Sequence, residues 1–257
     1  MDSDEYLINR PDLGDRTEVQ AGEFYPVVGV GPHPLPWPTG EQYDPEYLEK
    51  GDRRNILDQY RYWSVAAIVK ELDKRRHPLH IAIENWQHDL NIGSIVRTAN
   101  AFNAEGVHII GKRDWNKRGA MVTDKYLHLH HHPTPQDFAN WAKENNVPII
   151  GIDNVEGSKE LESATLPNPC ALLFGQEGPG LSDAAIAMCE VTYAIRQYGS
   201  TRSMNASAAG AIAMYAWAMQ HLKHNCEFLI IDLFKLMKRP PEGLYLPGGI
   251  TLTICLF

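Results

Sequence analysis

Three glycine-containing segments of this 257-residue chain carry polar side chains that could do chemistry. The first reads N-I-G-S-I-V-R-T-A from Asn91 to Ala99, so Asn91 can cap a helix and Arg97 lies nearly two turns further along it. An arginine stays protonated in proteins, and its planar donors suit a phosphate or an oxygen that gains negative charge. Taken alone, the segment is also typical of a capped helix with a surface arginine.

The second segment is an apolar run that opens into the glycine-rich loop G-Q-E-G-P-G-L-S at Gly175. Gly175 would let the backbone approach a ligand closely, Glu177 adds a carboxylate, and Ser182 is suited to cap the next helix. The loop lacks the Gly-Lys-Ser/Thr ending of a P-loop and the G-x-G-x-x-G order of a dinucleotide-binding fold. It indicates either a ligand-binding loop of another type or a tight turn without a ligand.

The third segment runs from the apolar residue Ile195 through a polar loop into an alanine-rich stretch that begins at Ala206. Ser203, Asn205 and Ser207 all fall at the entrance of the helix predicted there, where exposed backbone amides gather. A helix cap needs only one such side chain. The two additional polar side chains favour a binding role for this helix entrance.

The elements predicted around these segments alternate between short apolar runs and helical patterns, which is typical of a parallel sheet covered by helices. We expect strands at 79–83, 106–110, 147–152, 171–174 and 191–195, and helices at 92–102, 135–145, 182–188 and 205–222. Each of the three segments then follows a strand. That is the carboxyl edge of the sheet, where α/β proteins bind their ligands.

In this order, the segments resemble the three motifs of the SpoU/TrmH family of SPOUT RNA methyltransferases, N-x-G-x-x-x-R-T-A, G-x-E-G-x-G-L-S and S-x-N-x-S. The resemblance covers about residues 79–222. It implies an α/β fold whose mostly parallel sheet is flanked by helices and ends in a C-terminal trefoil knot. It also implies a homodimer that moves a methyl group from S-adenosylmethionine to a ribose 2′-hydroxyl of RNA, either tRNA, at a D-loop guanosine, or rRNA.

The resemblance further implies roles for individual residues. Gly175, Ile195 and Met204 would contact the cofactor, largely through backbone groups of the knot. Arg97 would act on the 2′-hydroxyl, either as general base or by stabilising the alkoxide or holding the adjacent phosphate. The residues that would hold the site and the knot loops in place are Asn91, Glu177, Ser203 and Asn205. The chain departs from the family at Arg196, where proline is usual, and at Met204, where leucine is usual.

The rest of the chain divides by composition. Residues 1–50 hold 11 of the 32 acidic residues and 3 of the 24 basic ones, and are rich in proline and glycine, so we expect an N-terminal arm. A leading helix is predicted within 51–78, from apolar positions between Asn55 and Arg76, followed by the methyltransferase domain at 79–224. Residues 225–257 form a tail with no predicted role. Because the arm carries the excess of negative charge, the remainder is neutral and can present a basic face to RNA.

Several classes of protein and site are disfavoured. The chain has no run of 18 apolar residues and begins with an acidic segment, so we expect a cytoplasmic protein without a membrane partner. Its widely spaced cysteines suit reduced thiols: Cys170, Cys189, Cys226 and Cys255. A histidine group has no cysteine or carboxylate at metal-ligand spacing, so we expect no metal and interpret it as a strand edge: His128, His130, His131 and His132.

Two other functions compete with methyl transfer. A catalytically silent RNA-binding paralogue would keep the fold, but the retention of the polar motif residues favours an enzyme: Arg97, Glu177, Ser203 and Asn205. A nucleotide-dependent oxidoreductase would need a dinucleotide fingerprint, which the chain lacks. We therefore predict an S-adenosylmethionine-dependent RNA (ribose-2′-O)-methyltransferase.

Overall fold

The computed structural model of the chain describes residues 29–86 and 91–222. These residues form one sheet of seven strands: β1 His77–Asn85, β2 Ala104–Gly111, β3 Leu129–His132, β4 Ile149–Ile152, β5 Lys159–Glu160, β6 Cys170–Phe174 and β7 Val191–Ala194. The strand order is β3-β2-β1-β6-β4-β7-β5, and every pairing is parallel. The mostly parallel sheet predicted from the sequence is confirmed.

Helices cover both faces of this sheet. The helices on the sheet are α3 Asn91–Ala101, α4 Pro135–Glu144, α5 Asp183–Met188 and α6 Ala206–His221, and they are preceded along the chain by α1 Pro45–Lys50 and α2 Val65–Asp73. Since successive strand residues point to opposite faces, Ile81 and Ile83 join the core beneath α3 and α6, whereas Ala82 joins the core beneath α4 and α5. Two buried layers therefore hold the sheet rigid along its length.

The five strands predicted from apolar runs are all present, as are the four helices predicted between them. The edge strand expected at the histidine group is β3. Strand β5 was not predicted, because it consists of Lys159 and Glu160, two exposed charged residues whose pairing with β7 leaves no apolar signal.

The single leading helix predicted between residues 55 and 76 is wrong in its first half. The helix α2 begins only after Ser64, which caps it, and the preceding residues form a turn in which Tyr62 has a φ of 65°. The buried carboxylate of Asp52 causes this turn. It accepts a hydrogen bond from the Tyr62 amide (3.0 Å) and pairs with the Arg54 guanidinium (2.6 Å), contacts that outweigh the helical spacing of apolar residues.

The described part of the N-terminal arm packs onto the residues that follow it. Val30 bridges to Asp52 and Tyr43 bridges to Trp63, while α1 lies between them, capped by Asp44. The first 28 residues of the arm and the tail at 225–257, with Cys226 and Cys255, lie outside the described residues. Within 29–86 and 91–222, no helix has the length and apolar character needed to span a bilayer.

Candidate active site

Side chains from all three motifs meet at the carboxyl edge of the sheet. Asn91 Nδ2 donates to Glu177 Oε2 (2.7 Å). Asn205 Nδ2 donates to Asn91 Oδ1 (2.8 Å) and to Glu177 Oε2 (3.2 Å). The same Glu177 oxygen accepts from the Ala206 amide (3.3 Å) at the start of α6. Four residues from three distant segments therefore form one hydrogen-bonded group, called here the motif cluster: Asn91, Glu177, Asn205 and Ala206.

The cap of α6 is Asn205. Its Oδ1 atom accepts from the Ser207 amide (3.0 Å), the Ala208 amide (3.3 Å) and the Ser207 hydroxyl (2.6 Å). The Asn205 side chain thus joins the helix entrance to the motif cluster. Its oxygen accepts from the first turn of α6, and its nitrogen donates to Asn91 and Glu177. Ser203 takes no part in the cap and instead lines the neighbouring pocket.

This pocket opens beside the motif cluster at the ends of β4, β6 and β7, and it is called here the cofactor pocket because the residues predicted to contact the cofactor line it. Gly175, Ile195 and Met204 all line it, as do Glu177 and Ser203. The other side chains that line it include apolar and polar groups: Ile152, Asp153, Phe174 and Gln197. The structure therefore places the three predicted cofactor residues together, in one concave site.

The second-motif loop that borders this pocket closes on itself. The Gln176 amide donates to the Gly180 carbonyl (3.1 Å), and the Gly180 amide donates back to the Gln176 carbonyl (3.0 Å). A Cβ atom added at Gly175 would lie 2.1 Å from the Gly180 carbonyl carbon. Gly175 is therefore required for the closure of its own loop, a reason that differs from the direct ligand approach expected from the sequence.

Two acidic residues that the sequence analysis did not single out anchor this loop. Glu84, fully buried at the end of β1, accepts from the Ser182 amide (2.7 Å) and from the Ser182 hydroxyl (2.7 Å). Asp153, at the end of β4, accepts from the Leu181 amide (2.7 Å). The sequence does carry a signal for both residues, since each is a carboxylate at the end of an apolar strand. A carboxylate buried there needs hydrogen-bond donors from neighbouring segments.

Arg97 lies outside the motif cluster. Its side chain is exposed on α3, and within the described residues it makes no hydrogen bond or ion pair. Gly93, one turn earlier on the same face of α3, packs closely on residues 116–120, because an added Cβ would lie 2.8 Å from the Ala120 amide. The helix that carries Arg97 is thus fixed at its start by Asn91 and along its side by this contact.

Arg196, the departure from the family pattern, does not add a free cation to the pocket. Its guanidinium pairs with Glu160 on β5, and its backbone amide donates to the Glu162 carboxylate (3.0 Å). The positive charge is thereby directed toward the β5 edge of the sheet.

One member of the histidine group, His132, belongs to a buried chain of three imidazoles across three strands, whereas His128, His130 and His131 are exposed. His80 Nδ1 lies 3.2 Å from His108 Nε2, and His108 Nδ1 lies 2.9 Å from His132 Nε2. Burial lowers the pKa of His80 to about 4 and holds the pKa values of His108 and His132 below their usual range. Across 29–86 and 91–222, no group of three or more histidine, cysteine or acidic side chains is placed to hold a metal ion.

Comparison with known proteins decides the family. The model of the SpoU rRNA Methylase family matches residues 78–215, more than half of the chain. This chain belongs to that family.

Two curated relatives of this SpoU-family chain are tRNA (guanosine(18)-2′-O)-methyltransferases. The protein from Borreliella burgdorferi is 27% identical over 173 residues, which cover 66% of this chain and 79% of the relative. The protein from Thermus thermophilus is 26% identical over 164 residues, which cover 60% of this chain and 82% of the relative.

Among solved structures, the SpoU methyltransferase AviRb from Streptomyces viridochromogenes matches with a TM-score of 0.52 at 27% identity. The match covers 59% of this chain and 63% of AviRb, so the SpoU-family chain spans about three fifths of that protein. AviRb is also known in complex with the cofactor AdoMet. Family membership confirms the predicted activity, S-adenosylmethionine-dependent 2′-O-methylation of RNA ribose.

Proposed function

We propose that this SpoU-family methyltransferase acts on tRNA and methylates the ribose of a D-loop guanosine. The observation that supports a working enzyme is the motif cluster, in which Asn91, Glu177 and Asn205 are hydrogen-bonded beside the cofactor pocket. The choice of tRNA over rRNA rests on the activity for which the Borreliella and Thermus relatives are named. A silent paralogue would have no requirement for this arrangement.

The cofactor pocket has the chemical character that S-adenosylmethionine requires. Ile195 and Met204 would contact the adenosine part, with Phe174 adding apolar surface, while Asp153 and Gln197 supply polar groups at the rim. The sulfonium cofactor supplies an already activated methyl group, so no metal is needed for the transfer. The residues of the protein then have to orient the acceptor and exclude water.

Arg97 would act on the acceptor side of the reaction. Its guanidinium remains protonated, which makes it a poor base and a good partner for a developing alkoxide or the adjacent phosphate. Its side chain is exposed and engaged in no ion pair within the described residues, so it can turn toward an RNA ligand. Asn91, Glu177, Ser203 and Asn205 would hold the surrounding loops in place.

The dimer expected of this family would use α6. Three apolar residues of this helix lie on one face and are exposed: Ile212 by 42%, Tyr215 by 56% and Met219 by 38%. Met214 and Trp217, also apolar, are fully buried in the core of the same subunit. We place the homodimer contact on the exposed face, with each active site near the subunit boundary.

The remaining parts of the proposal concern the chain as a whole. A trefoil knot would be formed by the loops of the second and third motifs, within a catalytic domain at 79–224. Residues 51–78 would connect the N-terminal arm to that domain, and the protein would work in the cytoplasm, where tRNA is available.

Methyl transfer from labelled S-adenosylmethionine to total RNA, followed by nucleoside analysis, tests this function. We expect 2′-O-methylguanosine in the tRNA fraction. Label confined to rRNA would contradict the proposed substrate, and the absence of any 2′-O-methylated nucleoside would contradict the proposed reaction.

A further inference from the structure

A second pocket lies between the N-terminal segment and the loop that follows β2. It has a volume of about 520 Å³, within the range of small-molecule sites. It is called here the outer pocket. Its walls combine aromatic, aliphatic and cationic side chains: Tyr47, Arg53, Arg54, Met121, Val122 and Tyr126. This composition suits a nucleotide, whose base is flat and apolar on its faces and whose phosphate is anionic.

The cationic side chains of the outer pocket differ in whether they are already paired with an acidic residue. Arg54 is fixed by its ion pair with buried Asp52 (2.6 Å), and its guanidinium lies 3.8 Å from the centre of the Tyr47 ring. Lys50 is paired with Glu46 (3.0 Å). Arg53 is exposed and forms no ion pair with any other described residue. One positive charge at the edge of the pocket is therefore available to an anion.

Two buried polar atoms in the wall lack partners. Arg54 Nη1 and the Tyr126 hydroxyl form no hydrogen bond within the described residues. The two side chains are neighbours, and the positive charge of Arg54 acts on the Tyr126 hydroxyl. Burial raises the pKa of the Tyr126 phenol, so its hydroxyl keeps its proton and can donate. Donors that have no hydrogen-bond partner among the described residues are available to the polar groups of a ligand.

The apolar wall of the outer pocket is exposed and conformationally strained. Met121 and Val122 are 54% and 50% exposed, and their φ angles are 48° and 68°. A left-handed backbone is rare for any residue with a side chain, and most of all for a β-branched one such as Val122. Strain of this kind concentrates at sites of ligand contact.

The outer pocket is connected to the active site through a single segment, residues 116–126. On one side, residues 116–120 pack against Gly93, one helical turn from Arg97. On the other side, Met121, Val122 and Tyr126 form the wall of the outer pocket. The segment that forms this wall therefore also contacts the helix that carries Arg97.

We propose that the outer pocket binds one nucleotide of the RNA substrate that flanks the methylated one. The base packs against Tyr47, Met121 and Val122, the Tyr126 hydroxyl and Arg54 Nη1 contact its polar edge, and Arg53 holds its phosphate. This inference rests on the proposed function, because it takes RNA as the substrate. A protein partner in the same pocket is the competing occupant.

Binding of an unmodified tRNA transcript, measured by fluorescence polarisation at several salt concentrations, tests the phosphate contact. We expect Arg53→Ala to weaken binding several-fold and to reduce the slope of log affinity against log salt by about 0.7, the value for one phosphate of a single strand. Arg53→Lys keeps the charge and should restore most of that slope. Lys143→Ala, an exposed charge on α4 at the opposite face of the sheet, is the matched control and should change neither quantity.

The base contact is tested with Met121→Gly, because glycine adopts a left-handed backbone without strain and removes only the side chain. We expect a higher KM for tRNA with an unchanged S-adenosylmethionine affinity. Transcripts that carry 4-thiouridine should crosslink to the peptide that contains Met121 and Val122.

These experiments distinguish a failure of the outer-pocket proposal from a failure of the proposed function. If the wild-type protein methylates tRNA while Arg53→Ala and Met121→Gly bind it as tightly as wild type does, the outer pocket is not a nucleotide site and the proposed function stands. Crosslinks confined to other peptides, or capture of a protein at the pocket, would also overturn the inference. If the wild-type protein neither binds nor methylates RNA, both proposals fail.

Discussion

At the scale of single residues, Arg97 carries the strongest expectation, because the structure leaves its side chain exposed and without an ion pair among the described residues. If its guanidinium stabilises the alkoxide or holds the adjacent phosphate, Arg97→Ala should lower the single-turnover rate at saturating RNA at least a hundredfold, about 3 kcal/mol of transition-state stabilisation. Cofactor affinity and thermal stability should stay near those of the wild type. Rapid-quench assays with saturating cofactor measure this rate.

Arg97→Lys distinguishes an Arg97 that orients the acceptor through its planar guanidinium from one that only supplies positive charge beside a phosphate. Lysine keeps the charge and loses the planar fork, so an orienting role stays damaged while a simple phosphate counter-charge is partly restored. Methylation by Arg97→Ala at the wild-type rate would remove Arg97 from the mechanism.

Gly175 gives a second test at this scale. A Cβ atom there would clash with the Gly180 backbone, so Gly175→Ala should open the second-motif loop and weaken S-adenosylmethionine binding at least tenfold by calorimetry. Gly199→Ala is the control, because an added Cβ at Gly199 has no neighbour within 4 Å. Equal cofactor affinity in the two variants would contradict the role given to the loop.

At the scale of elements, strands and helices that are fixed by a local residue pattern were predicted correctly. Elements that are fixed by contacts between distant residues were not. The strand β6 is a continuous buried apolar run and was predicted almost to the residue. The leading helix was predicted too long, because the buried Asp52 carboxylate fixes a turn through Tyr62 that helical spacing does not reveal. No local pattern distinguishes a charged pair such as Lys159 and Glu160 from a loop, so β5 was not predicted.

The buried histidine chain across β1, β2 and β3 makes stability depend on pH. The folded-state pKa of His80 is about 4, against an ordinary value of 6.5 in the unfolded chain. Between these values the unfolded state binds the proton and the folded state does not, so stability is complete above pH 6.5 and falls as the pH falls toward 4. From pH 7.5 to 5.5, His80 alone should lower the free energy of unfolding by about 1 kcal/mol, measured by urea denaturation.

Burial of the imidazoles sets the sign of this effect, and the neighbouring histidines reinforce it. His130 and His132 face His108 and also have lowered pKa values, and only Asp137, beside His132, opposes the shift. His108→Gln should therefore reduce the difference in stability between pH 7.5 and 5.5, whereas His33→Gln, a control outside the buried imidazole chain, should not. Equal pH dependence in wild type and His108→Gln would contradict the interpretation.

At the scale of the whole molecule, the exposed apolar face of α6 predicts a dimer. Light scattering should give twice the 28.9 kDa of the chain at micromolar concentration. Tyr215→Glu places a charge on that face and should yield monomers with strongly reduced methylation, while Lys143→Glu, on α4, should remain dimeric. A wild-type monomer would contradict both the interface and the shared active site.

The arrangement of the site residues could also be predicted only in part from the sequence. The three motifs could be read directly, and so could their placement at one edge of a parallel sheet. The hydrogen bonds between Asn91, Glu177 and Asn205 could not, because they join residues up to 114 positions apart. The anchoring of Ser182 by Glu84 was likewise hidden, since it depends on β1 and the second-motif loop lying side by side.

The most direct test of the central claim uses two tRNA transcripts that differ by one oxygen atom. One carries the guanosine at which methylation is mapped, and the other carries 2′-deoxyguanosine at that position. The proposed reaction predicts full methyl transfer to the first transcript and none to the second, because the acceptor hydroxyl is absent. Equal transfer to both would show that the methyl group goes to a base or to another nucleotide, and would contradict the account.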